Sequence, residues 1–293
     1  MKNTVFACLL ALGVLASPAA FAADVIVNEW NAVGSSKYLD GDDFAESTKA
    51  DSYFGRIQGN GGNWFELVVT GQSVDMRGWE IRWAEEKVED GDGTDHWYGD
   101  GTVDQGILTF SNDAVWSNLQ AGTIITVSEQ TSADVFDLST DTSFDGVSDW
   151  WMHVSTLDEA SQGSPLITAV NNNSGVAGEF SVGNDDQLWA IYDASDVEIF
   201  RVGEDSIDEK ISSKEVGKLE GDPTTSIVGL GEDNGGFYND GTSSTFGAPN
   251  SWSGGTLAQD FSVLRSGAAV PEPTTALLML FGACGLLGLR RRG

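Results

Sequence analysis

Cysteine is missing from the body of this chain. The only two, Cys8 and Cys284, lie in apolar terminal segments. The 275 residues between them therefore offer no disulfide, no thiol nucleophile and no cysteine-based metal site. Histidine is nearly absent too, with His96 and His153 as the whole supply. There is no His-Glu-x-x-His pair, no Gly-x-Ser-x-Gly elbow and no phosphate-binding glycine loop. A Ser-His-Asp triad is defined by geometry rather than spacing and stays open, but the expected class is non-enzymatic.

Basic charge is equally scarce. Of 15 Lys and Arg, Lys2 and Arg290 to Arg292 are terminal, and of 45 acids only Glu272 is. Residues 24–270 therefore carry 11 basic and 44 acidic side chains, a formal charge of −33. A surface this anionic repels phosphate backbones, so nucleic acid is not an expected partner. It is either a solvated, salt-tolerant surface or a set of clusters that bind cations. Helical stripes are lacking as well, which leaves strands to build the core.

Strand signals are plentiful. In "GNWFELVVTG", Phe65, Leu67 and Val69 alternate with Trp64, Glu66 and Val68. In "GWEIRW", Trp79, Ile81 and Trp83 share one face, and Glu80 and Arg82 the other. That strict period of two marks a half-buried strand. Similar stretches occur at 23–30, 107–110, 124–127, 150–154, 188–192 and 197–202, the last two joined by an Asp193–Asp196 hairpin turn. About eight short strands between Gly- and Asp-rich turns predict an all-β chain, an antiparallel β-sandwich. Most of the ten tryptophans are expected in its core. The adjacent pair Trp150 and Trp151 is the best candidate for an exposed sugar-stacking platform, because neighbouring strand residues point to opposite faces.

Two acids stand among apolar strand neighbours, Glu29 and Glu66. Each can serve as a buried acceptor of N–H bonds, a metal ligand or a general base, and the first is expected. The loop "EDGDGTDHWYGDGTVD" places Asp90, Asp92 and Asp95 among glycines, hard oxygen ligands suited to Ca²⁺, although the spacing departs from an EF-hand. Such loops also serve as plain turns.

"VIVNEWNAVG" followed by "NWFELVVTGQSVDMRGWEI" resembles the lamin-tail domain, an immunoglobulin-like sandwich. The resemblance rests on Asn28-Glu29, on Trp64-Phe65-Glu66-Leu67 and on Asp75-Met76-Arg77-Gly78-Trp79, with Met where the family has Leu. "QLWAIYDASDVEIF" is similar to the family's late hairpin, and "STFGAPNSW" (244–252) to its closing segment. It implies one domain over 23–255, with long insertions near 31–60 and 128–185, followed by a linker over 256–270.

The ends carry addresses. Lys2, an apolar stretch from Val5 to Ala16 and small residues Ala20 and Ala22 have the layout of a signal peptide over 1–22. At the other end, Pro271-Glu272-Pro273 precedes 16 uncharged residues (274–289) and Arg290, Arg291 and Arg292. As a helix that run would be ~24 Å long at ~1.5 Å per residue, short of the ~20 residues that usually span a bilayer. The layout is similar to the PEP-CTERM sorting signal, which implies recognition of the Pro-Glu-Pro element by an exosortase of a Gram-negative bacterium. The arginines would hold the helix at the cytoplasmic side of the inner membrane until the cut. An ordinary single-span anchor is the alternative. Two function classes follow: a structural or adhesive protein of the envelope or extracellular polysaccharide, or a carbohydrate-binding module, with calcium as an optional stabiliser. If the Asp90–Asp95 loop holds calcium, EGTA lowers the melting temperature; an unchanged melt removes calcium from the picture.

Overall fold

A computed structural model of the chain describes residues 23–39, 49–85, 104–184, 187–203, 211–221, 223, 238–252 and 257–267. The segment Ala22–Val270 is one compact unit. Residues 1–22, where the sequence predicts a signal peptide, the loop with Asp90, Asp92 and Asp95, and the tail with Pro271–Pro273 and Arg290–Arg292 lie outside the described residues.

Eleven strands carry the unit. They are β1 (Val25–Asn31), β2 (Trp64–Val69), β3 (Glu80–Glu85), β4 (Asp104–Phe110), β5 (Ile124–Ser128) and β6 (Trp151–Ser155). There follow β7 (Ile167–Asn171), β8 (Leu188–Tyr192), β9 (Glu198–Gly203), β10 (Val216–Leu219) and β11 (Tyr238–Gly241). One sheet has the order β6-β5-β2-β1-β10-β11 and the other β7-β4-β3-β8-β9. The chain is thus all-β, as its periodicity predicts. Every pairing in the two sheets is antiparallel except β6 on β5, which is parallel.

The main apolar core draws on both sheets. Val25, Val27, Phe65 and Leu67 from the first meet Ile81, Trp83, Trp189 and Phe200 from the second. The Phe65 and Trp189 rings join the layers, 4.7 Å apart between centroids, a contact worth ~1 kcal/mol beyond its buried area. Among the described residues six tryptophans are buried: Trp30, Trp64, Trp79, Trp83, Trp116 and Trp189.

Two sequence expectations need correction. The stretch 128–185 is more than a loop insertion, because β6 and β7 within it form an edge strand of each sheet. In β7 the alternation is plain, with Ile167 and Ala169 inward and Thr168 and Val170 exposed. Residues 257–267 are likewise no free linker: Leu257–Ala258 pairs with Ser251–Trp252, and Phe261 and Leu264 are buried in the main core. An apolar residue placed every third position after a turn, too short to show a period, hid that contribution.

The β1–β10 contact is close. A Cβ on Gly217 would lie 2.1 Å from the Trp30 indole, so no larger residue fits without moving a fully buried ring. Gly217→Ala should therefore lower the unfolding free energy by ~1–3 kcal/mol, read from the urea midpoint.

Candidate functional site

A break in alternation builds the site. Val25 and Val27 face the core opposite Val69 and Leu67, so strict period two would send Glu29 into the core as well. The β1–β2 register shifts between Val27 and Glu29. That bulge returns Trp30 to the core beside Phe65 and turns Glu29 to the outer face beside Glu66. Cross-strand partners share a face, and the pairs run His153↔Thr126, Thr126↔Glu66, Glu66↔Glu29 and Glu29↔Lys218. One row of five polar side chains thus crosses β6, β5, β2, β1 and β10. None is more than 4% exposed.

Residues 243–251 cover this row. Glu29 Oε2 accepts from the Thr245 N–H and hydroxyl, both at 3.0 Å, and Glu66 Oε2 accepts from the Gly247 N–H at 2.9 Å. Asn28 Nδ2 donates to Glu66 Oε1 at 2.8 Å. Lys218 Nζ donates to Ser243 Oγ (2.9 Å) and to the Ser251 carbonyl (2.5 Å). Asn250 donates to the carbonyls of Asn28 and Leu219, and Gln259 donates to the Asn28 side chain. From the loop before β2, Asp51 accepts from the Ser244 hydroxyl and from the N–H groups of Tyr53 and Phe54. Gly247 has φ +73°, and a Cβ there would lie 2.6 Å from the Trp151 ring, so only glycine makes this turn against the indole.

The electrostatics follow from burial. Desolvation pushes Glu29 up to about 8; Lys218 pulls it back by less, and Asp51 adds to the rise. Burial, then the facing Glu29, holds Glu66 well above the carboxylate range. Burial also raises Asp51 and lowers Lys218. Two facing carboxyls in this setting hold a proton at neutral pH. Glu29 Oε1, buried with no hydrogen-bond partner, fits the neutral form better than the charged one. Both glutamates thus serve as buried acceptors. Among the described residues no group of three or more His, Cys, Asp or Glu is placed to hold a metal.

His153 ends the row. Its Nε2 lies 3.0 Å from the Leu138 carbonyl, which can only accept, so Nε2 carries the proton. Nδ1 then accepts from the Thr126 hydroxyl at 2.8 Å, and Thr126 Oγ1 accepts from Trp151 Nε1 at 2.8 Å. Burial lowers His153 to about 4, so the ring is a neutral structural link. Beside it opens a cleft of about 330 Å³, lined by Tyr53, Trp151, His153 and the 137–141 loop.

The candidate tryptophans separate, Trp151 opening β6 and Trp150 lying just before it. Half-buried Trp151 packs against Tyr53 and Phe246, 5.5 and 5.9 Å between centroids, and lines the cleft. Trp150 lies under the Arg265 guanidinium, 5.0 Å from the ring centroid, and is no part of the cleft. Asp51, Lys218 and Tyr53 had no signal of their own, being ordinary residues that only the fold brings to this face.

The tail is decided by comparison with known families. Residues 269–292 match the PEP-CTERM protein-sorting motif. The span contains Pro271, Glu272, Pro273 and all three arginines. A PEP-CTERM tail implies an exported protein that an exosortase sorts at the membrane of a Gram-negative bacterium. No curated protein and no solved structure matches the chain. Among the described residues no helix is long and apolar enough to cross a membrane.

The row gives a pH signature. A carboxyl raised from 4.5 to about 8 binds its proton more tightly in the folded chain, so its contribution to stability is full below pH 4.5 and is lost as pH rises towards 8. His153 acts oppositely, but only below its ordinary 6.5. Between pH 6.5 and 8, Glu29→Gln, which mimics the neutral acid, should remove about 1.4 kcal/mol per pH unit of stability loss. Denaturant titration measures this; parallel slopes for both proteins would show that Glu29 does not titrate there.

Proposed function

We propose that this chain is an exported structural or adhesive protein of the cell surface or extracellular matrix, delivered by exosortase processing of its tail. The observation that carries the reading is the sorting motif at 269–292, attached to an acidic β-body. That body's buried titratable groups are occupied in holding the fold. Glu29, Glu66 and His153 lie under their own chain, which suits a scaffold rather than an enzyme. In this reading residues 1–22 are a signal peptide. The body is a lamin-tail-like, immunoglobulin-like sandwich, supported by two sheets on one core and by the covering role of 244–252. No cofactor is required, and Ca²⁺ at Asp90, Asp92 and Asp95 would be an added brace.

The processing step has a physical logic. Prolines at 271 and 273 favour an extended segment suited to a protease cleft. The 274–289 run is too short for a durable anchor, and Arg290–Arg292 resist passage across the inner membrane. The partners are thus the exosortase and, after the cut, envelope or extracellular polysaccharide. Intact mass of the protein from native cells should place its C-terminus near Pro271–Pro273. A mature chain extending through Arg292 would overturn the processing, leaving a single-span anchor.

A further inference from the structure

We infer that the cleft between Tyr53, Trp151 and the 137–141 loop binds a neutral sugar unit of a polysaccharide. This deepens the surface-protein reading and rests on it. At about 330 Å³ the cleft is at the small end of ligand sites, sized for about one or two sugar rings. Its floor is an aromatic corner: the Tyr53 and Trp151 rings stand 5.5 Å apart at 68°, so a pyranose can lay its C–H face on one ring and its edge on the other. Such rings supply contact area with few torsions to freeze.

The corner is held before any ligand arrives. Trp151 Nε1 is fixed on Thr126, the Tyr53 N–H on Asp51 (2.6 Å), and the Tyr53 hydroxyl donates to the Asp137 carbonyl at 3.4 Å. The facing wall is equally tied. Asp141 and His153 exchange two backbone bonds of 2.8 Å, His153 Nε2 holds the Leu138 carbonyl, and the Thr140 N–H donates to Asp158. A site assembled in advance loses less entropy on binding. The buried row thus has a second use, because its last members, Thr126 and His153, hold both sides of the cleft.

The wall also sets the ligand's chemistry. Asp137 Oδ1 accepts from the Ser139 N–H and hydroxyl, at 2.9 and 2.7 Å, and Asp141 Oδ1 from the Ser143 N–H at 2.9 Å. These bonds, and for Asp141 above all that of the Ser143 side chain, lower both carboxyls below their ordinary range, so the wall stays anionic and hydrogen-bonds hydroxyl donors strongly. Uronate- or phosphate-bearing polymers meet like charge here, on a body already at −33 over residues 24–270. Neutral glycans do not.

The test is affinity electrophoresis of the protein purified from its native cells. The gels contain the neutral or the uronate-containing fraction of those cells' own exopolysaccharide. The neutral fraction should retard the protein and the acidic fraction should not. Asp137→Asn combined with Asp141→Asn should weaken retardation on the order of 10-fold at an unchanged melting temperature, while Trp150→Ala, outside the cleft, should bind as wild type. The inference falls if the neutral fraction gives no retardation, if the acidic fraction retards more strongly, or if the double variant matches wild type. Lost sugar binding with a correctly trimmed C-terminus defeats the cleft alone; an untrimmed C-terminus defeats the delivery reading.

Discussion

Five polar side chains buried in a row across a sheet can stay there only if something supplies their partners. For Glu29, Glu66 and Lys218 the supplier is a segment some two hundred residues along the chain from Glu29, and for Thr126 and His153 it is Trp151 and Leu138. Each unsatisfied buried polar group costs ~1–3 kcal/mol, and more when charged, so the row and its cover are stable only together. Thr245 and Gly247 donate, Ser243 and Ser251 accept, and Asn250 joins two strands. A late stretch of the chain is thereby tied to β1.

Other features follow from that constraint. The β1 bulge exists where Glu29 must leave the core, and it frees Asn28 to bridge Glu66 and Gln259. Gln259 in turn leads into Phe261 and Leu264, which pack in the core, while Arg265 donates to the Gly122 carbonyl. Folded structure therefore continues to within a few residues of the sorting motif at 269–292. At the far end of the row, Thr126 and His153 fix Trp151 and the 137–141 loop. A device for closing the fold thus also sets the walls of a cleft that combines aromatic rings with anchored carboxylates.

What the sequence showed and hid has a physical basis. Trp79, Ile81 and Trp83 announce a strand because period two is local, and the Asp193–Asp196 turn announces a hairpin for the same reason. The tail is legible because its three parts lie in order along the chain and need no tertiary partner. The orientation of Glu29 was hidden, since its parity with Val25 and Val27 argues for the core and only a register shift reverses that. Lys218, Asp51 and Tyr53 were hidden because each gains its role from residues far away in sequence. The acceptor role expected for Glu29 and Glu66 could be argued from the cost of burial, but their donors could not be named. The edge strands β6 and β7 were masked by the length of the stretch around them, although Trp150–Val154 already had the composition of a strand.

If the row and its cover form one unit, their backbone must open together with the sheet beneath. Native-state hydrogen exchange measures this at the amides of Thr245 and Gly247, which donate to Glu29 and Glu66. Both should exchange only through global unfolding, with the same free energy as core amides of β1 and β2. Exchange at loop-like rates while β1 and β2 stay protected would show that residues 243–251 are a loose flap, and would contradict the structural role given to the buried row.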